Sequence, residues 1–164
     1  MKSKFATLLI IIGLTACNWI PPGPNDPFCC KINGKKYSPE SSSSIATVGS
    51  DGLQVTWEEK DGILLIRTRN KAKSMLLYLV FEDKIIKEGR IQLSNDLKKS
   101  RIYYTDNNKN SISSYLISKT GFIDITKKDG YLLTGTFEFD TYDPILKKEI
   151  KITKGIFNEL SYYL

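Results

Sequence analysis

The stretch "GFIDITKKDGYLLTGTFEFD", Gly121 to Asp140, decides the fold. In its second half Leu133, Gly135, Phe137 and Phe139 fall on one side of an extended chain. Thr134, Thr136, Glu138 and Asp140 fall on the other. A period of two marks a half-buried β-strand, because successive strand side chains point to opposite faces. The first half repeats the pattern, with Phe122 and Asp124 opposite Ile123 and Ile125. Between the halves, Asp129-Gly130 supplies a turn, since glycine reaches positive φ without steric cost.

The same grammar extends in both directions. Downstream, "KEIKITKGIFN" reads as a closing strand with Phe157 in the core. Upstream, "FCCKINGKKYSP" carries Asn33-Gly34, the strongest short hairpin signal a sequence offers. "SSSS" (Ser41–Ser44) reads as a loop, and "IATV" and "LQVTWEE" flank the turn "GSDG". Further strands are expected at "ILLIRTRN", "SMLLYLVFE", "IIKEGRIQL", "RIYYT" and "SISSYLIS". "MLLYLVF" (Met75–Phe81) is continuously apolar, which predicts a central strand covered on both faces. Gly130 and Gly155 are assigned to turns, and Gly135 within a strand to a bulge or a close approach. The sum is an all-β domain, an antiparallel sandwich or barrel of roughly ten strands. It runs as a single domain over 28–164.

What precedes that domain is of another kind. Residues 1–16 combine Lys2 and Lys4, the apolar run "FATLLIIIGL" and the small residues "TA", the layout of a signal peptide. The apolar run falls short of the roughly 20 residues a membrane-spanning helix needs. "LTAC" (Leu14–Cys17) resembles the lipobox of bacterial lipoproteins, in which the cysteine is lipidated with palmitate-type acyl chains. Two or three chains on Cys17 give stable membrane anchoring where one is marginal. Asn18 after the cysteine leans toward the outer membrane. Residues 17–27, with the Pro-rich run "NWIPPGPNDP", form a semi-rigid spacer.

Composition narrows the chemistry. The chain has 24 Lys and Arg against 18 Asp and Glu, and loss of Lys2 and Lys4 lowers its formal charge from +6 to +4. The lysines come in scattered pairs (Lys35-Lys36, Lys98-Lys99, Lys127-Lys128, Lys147-Lys148) rather than as a stripe with interleaved aromatics. They read as solvated turns and guards of edge strands, not as a nucleic-acid surface. The chain has no histidine. That removes Ser-His-Asp and Cys-His nucleophile systems and histidine metal sites together.

The remaining enzymatic candidates are carboxylates. Glu138 and Asp140 share a strand face with Asp143 just beyond, and Glu58 and Glu59 are adjacent. Carboxylates at i, i+2 suit glycosidase-like chemistry or a calcium ion in principle, but water-facing strands carry such pairs routinely. Cys29 and Cys30 have no histidine to activate them. As strand neighbours they point to opposite faces, so one thiol is expected in the core and the other near the surface or under a loop. The sequence therefore assigns no catalytic residue, no cofactor and no metal. Two non-enzymatic readings remain. One is a lipocalin-like carrier of a small apolar ligand. The other is a binding or structural module that meets protein or glycan through aromatics such as Trp57, Tyr103, Tyr104, Tyr142, Tyr162 and Tyr163.

Three landmarks together resemble an uncharacterised family of small lipoproteins of Bacteroidota-type bacteria. These are Ile32-Asn33-Gly34 with Tyr37 after a lipidated cysteine, the 121–140 stretch, and "IKITKGIFNEL". Where that family typically places a tryptophan after the turn, this chain has Tyr37. The resemblance implies a compact all-β domain and transfers no functional residue except Cys17. The expectation is a lipid-anchored, non-catalytic protein of the cell envelope.

Overall fold

A computed structural model describes residues 27–40, 52–106 and 116–163. Among them the chain forms eleven strands and no helix. They are β1 (Phe28–Ile32), β2 (Lys35–Tyr37), β3 (Leu53–Glu58), β4 (Ile63–Arg69), β5 (Lys73–Val80), β6 (Gly89–Gln92), β7 (Arg101–Asp106), β8 (Leu116–Ile117), β9 (Thr120–Asp129), β10 (Leu132–Asp143) and β11 (Lys148–Ser161). They form two antiparallel sheets, ordered β2-β1-β11-β10-β9-β6 and β3-β4-β5-β7-β8. The arrangement is a sandwich, and the barrel alternative falls away because the two sheets do not close into one.

The turns follow the local sequence. Asn33 and Gly34 both take positive φ, 49° and 80°, the mirror-image turn whose twist matches the flanking strands. Gly130 (φ 56°) opens the two-residue loop between β9 and β10. Asp61-Gly62 closes the β3–β4 loop, with both amides donating to the Glu58 carbonyl.

Two corners fasten the sheets together. At one, Trp57 N–H of edge strand β3 donates to the carbonyl of Tyr163, just past β11 (2.8 Å). At the other, β8 passes directly into β9 through Ser118, which exchanges bonds with the Ile102 backbone through its amide and its hydroxyl. Thr141 of β10 completes that corner by donating to the Ile117 carbonyl (2.8 Å). Inward side chains of both sheets meet in one contiguous cluster, with Phe28, Phe137, Phe139 and Phe157 facing Leu64, Ile66, Leu77, Leu79 and Ile102.

Several expectations change. β5 is central in its sheet, but only Met75, Leu77 and Leu79 are buried, while Leu76, Tyr78 and Val80 are half-buried on the outer face. "MLLYLVF" is thus covered on one face, not two. Its outer face is made of half-exposed apolar side chains beside Ile63, Leu65 and Tyr103. Gly155 lies inside β11 rather than at a turn. Ile85 and Ile86 precede β6 rather than belonging to it. The expected "IATV" strand, Cys17, residues 1–16 and the spacer up to residue 26 lie outside the described residues.

Candidate functional sites

The carboxylates do not converge. Glu138 projects outward from β10, and its Oε1 accepts the Lys154 N–H (3.0 Å). That amide belongs to a bulge at which β11 slips by one residue against both β1 and β10. A bulge leaves an amide outside the ladder, and the glutamate satisfies it. Asp143 lies on the opposite, inward face of β10 and is buried. Its Oδ1 accepts the N–H groups of Ile145 and Leu146 (3.0 Å each), which shapes the β10–β11 loop. So Asp143 does not extend the Glu138–Asp140 pair, as its nearness in sequence suggests. Glu58 and Glu59 are exposed, one ending β3 and the other beginning its turn. Among the described residues no group of three or more Asp, Glu or Cys could hold a metal.

Cys29 and Cys30 are both buried thiols, not joined in a disulfide. Cys30 lies in the core cluster opposite Tyr37, and Cys29 lies outside that cluster but is equally covered. Burial pushes the Cys30 thiol far above its ordinary range, with the neighbouring Cys29 adding to the effect and Lys73 opposing it. Burial of this kind disfavours the thiolate, the nucleophilic form of a cysteine.

Around Cys30 the interior is polar, which the sequence did not signal. The Tyr37 hydroxyl bonds Thr68 Oγ1 of β4 across the sandwich (3.0 Å), and both groups are buried. Burial raises the Tyr37 phenol despite that bond. Burial also raises the Tyr104 phenol, with Asp106, Tyr37, Cys30 and Asp143 adding repulsion. The interior thus brings two phenols, a thiol and a carboxylate within electrostatic reach of one another around Tyr104. No residue type there is unusual for a strand, so only the paired register brings them together.

The aromatics divide by strand parity. Trp57, Tyr104 and Tyr162 are buried, and Tyr103 is half-buried. Of the six proposed as contact residues, Tyr142 (36% exposed) and Tyr163 (55%) are the exposed ones. The Lys119 ammonium stands over the Tyr142 ring (4.5 Å). On the outer face of the second sheet, the Arg101 guanidinium stacks over Tyr78 (4.0 Å), donates to the Tyr103 hydroxyl and binds the Leu97 and Lys99 carbonyls. Sequence reading missed the hairpin tips. Tyr131 (59%) and Leu132 stand at the β9–β10 tip, and Ile145 (60%) and Leu146 at the β10–β11 tip. Apolar residues inside turn windows, where polar ones are the rule, are the signal that could have found them.

The sequence profile of a domain of unknown function, DUF6252, matches residues 46–161, more than half of the chain. No curated protein and no solved structure matches it.

Proposed function

From the premise that the chain belongs to the DUF6252 family, a domain of unknown function, we propose a lipid-anchored, non-catalytic binding or structural module of the bacterial cell envelope, held at the outer membrane. The observation that carries this reading is the order of parts along the sequence. A signal-like segment ends in "LTAC", a proline-rich run follows, and the first strand begins at Phe28. The roles of Glu138 and Asp143 in backbone capping support the non-catalytic half of the reading. A module is favoured over a carrier because inward side chains of both sheets meet in one contiguous apolar cluster.

Cys17→Ala is expected to abolish incorporation of labelled fatty acid and to release the protein from the membrane fraction. Unchanged labelling and fractionation would overturn the anchoring.

A further inference from the structure

The point where the tether enters the domain is fixed by a hydrogen bond. The Pro27 carbonyl accepts the Asn158 N–H (2.9 Å), three residues before β11 ends at Ser161. Leu132 pairs with Ser161 and Leu133 with Leu160, so the β9–β10 turn stands at this same end. The β10–β11 loop lies at the other end of a 12-residue strand, about 35–40 Å away at strand rise.

Among the described residues, Tyr131 (59%), Leu132 (39%) and Tyr163 (55%) stand exposed at the tethered end. They are held in place rather than loose. The Tyr131 ring packs edge-on against Tyr162 (5.5 Å), whose amide donates to the Tyr131 carbonyl and whose hydroxyl donates to the Gly130 carbonyl. The Tyr163 carbonyl is fixed by Trp57 N–H. Tyrosine suits the membrane–water interface, with an apolar ring and a polar tip. Lys127 is paired with Asp129 (3.3 Å), and the Glu88 carboxylate, held on the Lys128 N–H (2.8 Å), stands beside Lys128, so two lysines and two carboxylates at this tip offset each other. The contact it favours is with a zwitterionic headgroup layer, through rings and Leu132, rather than electrostatic attraction to anionic lipid.

We propose that the β9–β10 end of the domain, through Tyr131, Leu132 and Tyr163, rests on the bilayer that holds the Cys17 anchor, so that the β10–β11 tip faces away. This rests on the anchoring reading above. The ten steps from Cys17 to Pro27 reach about 31 Å as an extended proline-rich chain, more than the 10–15 Å or so between Asn158 and the tip. The tether therefore permits the contact. It also makes the contact intramolecular, at an effective concentration on the order of millimolar, so weakly inserting side chains suffice.

The test uses the full acylated chain in phosphatidylcholine vesicles, some with brominated acyl chains that quench nearby tryptophan. Tyr131→Trp and Ile145→Trp each add a reporter, read as the difference from the parent with its Trp19 and Trp57. The Tyr131→Trp signal is expected to be strongly quenched, the Ile145→Trp signal barely, and neither to change with salt. Vesicle flotation without Tyr131→Trp quenching, or with equal quenching at both tips, would overturn the orientation and leave anchoring intact. Failure of the parent chain to float with vesicles would overturn the anchoring reading itself.

Discussion

Strand β10 runs through two different interiors. Its first half presents Leu133, Gly135, Phe137 and Phe139 to an apolar, aromatic core, with Phe28 stacked on Phe137 (5.1 Å). Its last inward residues are Thr141 and Asp143, and Asp143 bears on the Tyr104 phenol, which Tyr37 and Cys30 also influence and which shares the interior with the Tyr37–Thr68 bond. One unbroken alternation encodes both halves. What limits them differs: the first is limited by shape, the second by the cost of placing charge where water is excluded.

The shape limit is set by two glycines. Gly135 pairs across the ladder with Phe157, and Phe137 pairs with Gly155, so each ring lies over the glycine opposite. A Cβ on Gly155 would stand 2.5 Å from the Phe137 carbonyl oxygen and 2.6 Å from its ring. On Gly135 it would stand 2.3 Å from the Asp124 carbonyl oxygen and 2.4 Å from the Phe157 ring. Because backbone carbonyls are involved, side-chain adjustment alone cannot relieve the overlap. Gly155→Ala and Gly135→Ala are each expected to cost about 3 kcal/mol, the upper range for overpacking, in urea unfolding. A loss under about 1 kcal/mol would mean that the aromatic half yields, and that shape does not limit it.

The polar half should instead break with pH. Cys30, Tyr37 and Tyr104 hold their protons more tightly folded than unfolded, chiefly because burial disfavours their charged forms. The unfolded chain therefore releases protons first, near the ordinary values of 9.0 for the thiol and 10.0 for the phenols. Stability from these groups is complete below those values and falls as pH rises past them, by up to about 1.4 kcal/mol per pH unit for each group. Tyr37→Phe separates this from general alkaline unfolding. It is expected to cost about 1 kcal/mol at neutral pH, through loss of the Thr68 bond, and to lose stability less steeply than the parent above about pH 10. Parallel curves for parent and variant would show that Tyr37 does not titrate against the fold.

Parity explains which parts were legible from residues alone. The 121–140 alternation and the split between Tyr162 and Tyr163 follow from a period of two, and the Asn33-Gly34 turn from two residues that accept positive φ. Continued from Phe139, the same count places Asp143 inward, and continued from Val55 it buries Trp57. Those positions were readable but were overshadowed by residue type, carboxylate and aromatic. "MLLYLVF" was not readable, because an apolar strand looks the same whether its second face is covered or half-open. Nor was the polar interior, since its members come from β1, β2, β4, β7 and β10, and only the register unites them. The β10–β11 pair hides one more feature from a sequence scan. "TKGIF" reads as a turn, yet it is a bulge within a strand.

That bulge tests the smallest difference between the halves, since it lies beside the glycine–phenylalanine pairs but on the solvent side. The positive φ there falls on Lys154 (53°), while its neighbour Gly155 stays out of that region. The residue with conformational freedom is thus used for close packing, and the lysine takes the left-handed backbone. A side chain in that conformation costs roughly 1 kcal/mol relative to glycine. Lys154→Gly is therefore expected to stabilise the fold by about 0.5 kcal/mol, with part of the relief offset by the greater entropy of glycine in the unfolded chain. Glu138→Ala should cost a similar small amount, because water can replace the lost acceptor at an exposed amide. Both are read as midpoint shifts in urea at an unchanged slope. Destabilisation by Lys154→Gly would show that the lysine side chain contributes more than its backbone conformation costs. The bulge would then belong with the packed half of β10 rather than with its solvent face.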